Sequence, residues 1–149
     1  MSYQSFEQVL QKCHTEEKEF WRVILEDDMA ERNVSEEDSM EHMRATWDAM
    51  LLAAATYEGN LNSSSGLVGG DGRRMEEYIR SAQTKSLCGE YVDTCIAGAL
   101  QMGESNACMK RIVAAPTAGA CGVLPAVLVP YFQKRCKDTD KILKAMYVA

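Results

Sequence analysis

Apolar positions recur along this chain at the three- and four-residue spacings of amphipathic helices. Phe6, Val9, Leu10 and Cys13 make a short first stripe. Phe20, Val23 and Ile24 predict the buried face of a second helix, with Thr15 as its cap and Glu16 and Glu17 in its first turn, where carboxylates complement the helix dipole. Ser35 followed by Asp38 has the form of a capping box. Met40, Met43, Trp47, Met50, Ala54 and Tyr57 then share one face of a third helix, with Gly59 as its stop. Met75, Tyr78, Ile79 and Ala82 mark a short helix, and Tyr91, Cys95, Ala99 and Met102 another, whose Ala97, Gly98 and Ala99 permit close packing. Val123, Val127, Leu128, Tyr131 and Phe132 mark the next, and Ile142, Ala145 and Met146 begin a last one. The strand-like run at 112–115 is too short to build a sheet. The pattern predicts an all-α fold, a helical domain with two glycine-rich interhelical loops.

Composition narrows the class. With 149 residues the chain suits one domain, and 46% apolar with 26% charged residues is an ordinary globular balance. A net charge of −6 argues against nucleic acid as a partner, because a phosphate binder carries a basic face. The charge is uneven: residues 1–50 carry a net −8 and residues 51–149 a net +2. No Gly or Pro precedes Gly59. The sequence therefore divides into an acidic helical region, 1–58, and a site-bearing helical region, 59–149. Apolar runs stop short of the roughly 18 residues a membrane span needs. The first residues lack a basic segment followed by an apolar one, and six Cys without such a leader predict reduced thiols and a cytoplasmic protein.

Two loops could carry chemistry. The first runs Asn62-Ser63-Ser64-Ser65-Gly66-Leu67-Val68-Gly69-Gly70-Asp71-Gly72, followed by Arg73 and Arg74. Its hydroxyls and glycine N–H groups could cradle an anion. The commoner reading of such a composition is an interhelical linker ending in an Asp71 cap. No Gly-Lys-Ser/Thr follows the glycines, so it is not a Walker loop. The second runs Ala115-Pro116-Thr117-Ala118-Gly119-Ala120-Cys121-Gly122-Val123-Leu124-Pro125. Pro116 breaks what precedes it, Thr117 can cap, and the small residues let a ligand approach the backbone. A Cys in the first turn of the helix that follows would meet unpaired N–H groups, which favours the thiolate, the form that attacks or binds metal. Packing at a tight helix contact is the alternative for Cys121.

The remaining chemistry-bearing residues read as structural. Cys13, Cys88, Cys95, Cys108 and Cys136 form no Cys-x-x-Cys pair, and His14 and His42 lie in the acidic helices, which argues against a self-contained zinc site. The methionine stripe reads as core, and Glu26-Asp27-Asp28 as a solvated face. Lys85 and Lys110 could each form a Schiff base with pyridoxal phosphate, but no phosphate cup accompanies them.

The stretch 110–128 resembles the alpha subunit of the iron–sulfur-dependent L-serine dehydratases. The family pattern there is a basic or small residue, Arg-Val/Ile-Val, Ala-Pro-Thr-Asn/Ala-Gly, a small pair usually containing Cys, and Gly-Ile/Val-Leu/Val-Pro-Ala-Val-Leu. Ser65-Gly66-Leu67-Val68-Gly69-Gly70-Asp71-Gly72 is similar to the Ser-Gly-Leu-Thr-Gly-Gly-Asp segment of the same subunit, and the resemblance extends over essentially the whole chain.

That resemblance implies deamination of L-serine to pyruvate and ammonia with a [4Fe–4S] cluster, no pyridoxal phosphate, and a beta subunit or beta domain as partner. Three cysteines of the family hold the cluster and leave one iron open as a Lewis acid for the serine hydroxyl; the first of them carries over to Cys121. A base takes the α-proton, water leaves, and the aminoacrylate hydrolyses. Ser64, Ser65, Gly66, Gly69, Gly70, Asp71, Thr117 and Gly119 are then implied as donors and small residues around the substrate carboxylate.

The family's alpha chain continues beyond the matching part, with later Gly-rich, Cys-containing segments that supply the other ligands. Cys88, Cys95, Cys108 and Cys136 do not match them. The sequence is therefore expected to be the N-terminal part of an alpha subunit, incomplete relative to the whole, with the remainder of that chain as a further partner and no catalytic base identifiable within it. The alternative expectation is a non-catalytic helical module that binds a small anion or a protein partner, with Cys121 as packing.

Overall fold

The computed structural model describes residues 3–81, 86–115 and 117–149. Ala82, Lys85 and Pro116, to which the sequence pattern gave roles, lie outside them. The described residues form seven α-helices and no strand: α1 Phe6–Glu16, α2 Phe20–Arg32, α3 Glu36–Ala55, α4 Asp71–Ser81, α5 Gly89–Ala107, α6 Val123–Tyr131 and α7 Thr139–Val148. The all-α expectation holds. None of these helices is long and apolar enough to cross a membrane. Contacts group the residues into two compact units, Met1–Trp47 with Asp138–Ala149, and Asp48–Lys137. Compactness thus cuts the chain at different places from the charge boundary at 58.

The first unit contains α1, α2, the first half of α3, and α7. Val23, Leu25, Trp47, Ile142 and Leu143 are its most deeply buried apolar side chains. The capping box at the start of α3 is reciprocal: the Asp38 N–H donates to Ser35 Oγ at 3.1 Å, and the Ser35 N–H donates to Asp38 Oδ2 at 3.3 Å. One polar line crosses this core. Ser39 donates to Asp28 Oδ2 at 2.6 Å, and its oxygen lies 2.7 Å from the Tyr147 hydroxyl. Since the Ser39 proton goes to the carboxylate, Tyr147 is the donor in the second bond. Burial raises the Tyr147 phenol above its usual range.

Thr15 does not cap α2. It lies within α1, where its hydroxyl donates back to the Gln11 carbonyl at 2.9 Å, and α1 ends on a left-handed Glu17. The cap of α2 is Glu19, with no side-chain bond.

The second unit packs α4 on α5 and α5 on α6. A Cβ added at Gly98 would sit 3.4 Å from the Ala126 Cα, and one at Gly122 3.2 Å from the Ala99 carbonyl, so the small residues do bring α5 and α6 close. On α5 the expected Met102 is buried, Tyr91 and Cys95 are half-buried and Ala99 is exposed, whereas on α6 the expected face is turned outward. On α5, Asp93, Ala97, Met102, Glu104 and Ser105 are buried, while Val92, Ile96 and Leu100 are exposed. On α6, Pro125, Ala126, Val129 and Pro130 are buried, while Val123, Val127 and Tyr131 face outward. Both helices carry apolar residues on two sides, so periodicity alone could not choose between them. Gly59 is not the stop of α3, which ends at Ala55.

Candidate functional site

Both sequence-predicted loops lie in the second unit, and both are tied to the C-terminal half of α5. The Ser/Gly loop closes on itself. The Ser63 N–H donates to the Val68 carbonyl at 2.8 Å, the Val68 N–H to Ser63 Oγ at 3.1 Å, and the Gly66 N–H to the Ser63 carbonyl at 2.9 Å. Ser63 and Ser65 hydroxyls lie 3.1 Å apart. Gly66, Gly69 and Gly70 all have positive φ, at 71°, 155° and 82°. At Gly69 a Cβ would lie 2.3 Å from the Leu61 carbonyl, so no other residue fits. Ser64, Ser65 and Gly66 are exposed, and Gly69 and Gly70 half-buried. Among the described residues the N–H groups of Ser64, Ser65, Gly69 and Gly70 meet no acceptor. Arg74 lies at the end of the loop, 3.2 Å from Asp71 and with its Nε donating to the Gly70 carbonyl at 3.3 Å.

The start of α4 is already served. Its first N–H groups, on Asp71 and Gly72, donate to Oε1 of Glu104, the latter at 3.1 Å. Asp71 is the first helical residue and not the cap that composition suggested; Glu104 on α5 supplies the capping carboxylate from outside. Glu104 is 2% exposed, and its Oε2 accepts the Tyr57 hydroxyl. Sequence reasoning missed this pair, because nothing in the α5 pattern marks one carboxylate as buried. The close approach falls at Gly72, where a Cβ would meet Gln101 Cγ at 2.7 Å and the Tyr57 oxygen at 2.8 Å.

The second loop is a single 3-10 turn, Ala118–Ala120, capped by Thr117, whose Oγ1 accepts the Ala120 N–H at 3.3 Å. Asn106 of α5 donates to the Ala118 carbonyl at 3.4 Å. Thr117 and Gly119 are exposed, while Cys121 is 3% exposed. Cys121 closes the turn, its N–H donating to the Ala118 carbonyl at 3.3 Å, and α6 begins two residues later. It therefore precedes the first turn of α6 and does not sit within it.

All six cysteines are free thiols. No group of three His, Cys, Asp or Glu side chains is gathered among the described residues. These residues do not by themselves fit a [4Fe–4S] cluster, which takes three or four thiolates; Cys121 is the single thiol of the second loop.

Two glycine-bearing loops thus carry backbone and hydroxyl donors, and each is bonded to the C-terminal half of α5. Residues 15–149 match the serine dehydratase alpha chain family, and the chain belongs to it. It is 30% identical to the L-serine dehydratase alpha chain of Peptoniphilus asaccharolyticus, over 91% of this chain and 46% of that protein. It is also 30% identical to the probable L-serine dehydratase alpha chain of Bacillus subtilis, over 85% of this chain and 42% of that one. The L-serine dehydratase of Haemophilus influenzae is 30% identical, over 99% of this chain and 32% of its own length. The chain thus spans less than half the length of these relatives. No solved structure matches it.

Proposed function

We propose that this chain forms part of the active site of an L-serine ammonia-lyase, which converts L-serine to pyruvate and ammonia. What supports the reading is the match of residues 15–149 to the serine dehydratase alpha chain family, with both family-type loops bonded to the C-terminal half of α5. In this reading the carboxylate of L-serine is bound by the N–H groups of Ser64, Ser65, Gly69 and Gly70, with the hydroxyls of Ser64, Ser65 and Thr117 as further donors. Asp71 ends that loop, and Gly66 and Gly119 keep the approach open. The N–H groups of Asp71 and Gly72 are committed to Glu104, so the substrate anion is held by the loop and not by the start of α4.

The family resemblance brings a [4Fe–4S] cluster, and Cys121 is the candidate ligand on this chain. The other thiolates, the base for the α-proton and the beta subunit or domain would come from outside these 149 residues. The outward apolar rows on α5 (Val92, Ile96, Leu100) and α6 (Val123, Val127, Tyr131) give the remainder of an alpha chain surfaces to cover. Six free thiols suit a reducing, cytoplasmic setting.

The test is to produce the complete alpha chain containing this sequence with its beta partner, reconstitute iron and sulfide without oxygen, and assay pyruvate from L-serine. Pyruvate formation is expected. A fully assembled, reconstituted protein that makes none would overturn the reading.

A further inference from the structure

Tyr57 lies before the Ser/Gly loop and Asp71 at its end, so residues 58–70 are bounded on both sides by groups bonded to the same carboxylate. The Tyr57 hydroxyl donates to Oε2 of Glu104, and the Asp71 and Gly72 N–H groups donate to Oε1. No cation pairs with Glu104 among the described residues. Three donors and the positive end of α4 compensate for its burial instead. Burial, then the bond to Glu104, holds the Tyr57 phenol well above its usual range. Gly72 lets α4 come this close to α5 and to Tyr57.

We propose that Glu104 is a positioning residue that clamps both ends of the Ser/Gly loop and thereby sets the geometry in which Ser64, Ser65, Gly69 and Gly70 meet a substrate carboxylate. The substrate half of this statement rests on the reading of the loop as serine-binding; the clamp itself does not.

A residue that only capped α4 would be indifferent to Tyr57, and this separates the two roles. Tyr57→Phe releases one end of the loop and leaves the α4 bonds in place. Glu104→Ala releases both ends. Glu104→Gln keeps the shape: its carbonyl can still accept from Asp71 and Gly72, and its amide can donate to the Tyr57 oxygen. Hydrogen exchange on the chain reads the clamp directly. The Ser63, Gly66 and Val68 amides should exchange about tenfold faster in Tyr57→Phe and Glu104→Ala, with α2 and the middle of α5 unchanged and Glu104→Gln within about threefold of wild type. In the complete reconstituted assembly, KM for L-serine should rise about tenfold in Tyr57→Phe with kcat within about threefold.

Wild-type exchange in the loop of Tyr57→Phe would overturn the clamp. So would faster exchange spread evenly over all helices, which marks a purely structural role. Faster loop exchange with an unchanged KM would overturn the positioning role. If the wild-type assembly makes no pyruvate, the serine reading fails while exchange still decides the clamp. Should Glu104→Ala not fold, Tyr57→Phe and Glu104→Gln carry the test.

Discussion

Gly66 and Gly69 both have positive φ, yet they answer to different constraints. A Cβ at Gly66 meets nothing within 4 Å, so Gly66→Ala carries only the backbone cost of a left-handed alanine, about 1 kcal/mol. At Gly69 the Cβ would overlap the Leu61 carbonyl, and Gly69→Ala should cost at least about 3 kcal/mol or remodel the loop. Urea unfolding of the two variants should separate them in that order. In the other unit, Tyr147→Phe removes the donor to the buried Ser39 oxygen and should destabilise by about 1–2 kcal/mol in the same assay. The glycines of the loop were legible because φ > 0 selects for them. Ser39, Tyr147 and Glu104 were not, since a hydroxyl or carboxylate in a helical pattern reads as solvated until a partner from a distant part of the sequence is known.

Helix boundaries came out well where a cap has its own chemistry. The box at Ser35 and Asp38 was visible in four consecutive residues, and Ser35→Ala should lower stability by about 1 kcal/mol. The cap expected at Thr15 failed, because a β-branched hydroxyl in a helix can bond backward to the carbonyl four residues earlier. The buried face of α6 was misassigned, while on α5 the expected Met102 is buried and Ala99 is not. Both helices carry apolar rows outward, and the inward row of α5 includes two acids. Electrostatics between α2 and α3 give a further expectation. The Arg22 guanidinium engages both oxygens of Glu36, at 2.8 Å in the Nη2 bond, and also Glu26 at 3.3 Å. Glu36 is held below its ordinary carboxylate range by Arg22, and Glu26 first by Lys18 and then by Arg22. Carboxylates lowered in the folded state contribute stability that is present above their unfolded value and lost as pH falls through the folded one. Arg22→Met should therefore flatten the loss of stability between about pH 5 and about pH 3, measured by thermal unfolding at low salt.

For the molecule as a whole, the sequence carried the family and the positions of both loops, and the structure supplied what joins them. α5 supports the Ser/Gly loop through Glu104 and the Cys121 loop through Asn106, and the two anchors lie two residues apart. Long-range anchoring of this kind has no local signature, whereas Gly-Gly and Pro-Thr-Ala-Gly segments do. Among the described residues no group of three His, Cys, Asp or Glu side chains is gathered, and the chain spans less than half of its relatives. The most direct measurement is the rate of pyruvate formation from L-serine by the complete, anaerobically reconstituted assembly, with wild type and Cys121→Ser side by side. The account predicts turnover by the wild type and a loss of at least about a hundredfold in Cys121→Ser, with a reduced iron content. Absence of pyruvate from the wild-type assembly would contradict the serine reading, and a Cys121→Ser assembly with full activity and full iron would contradict the role given to Cys121.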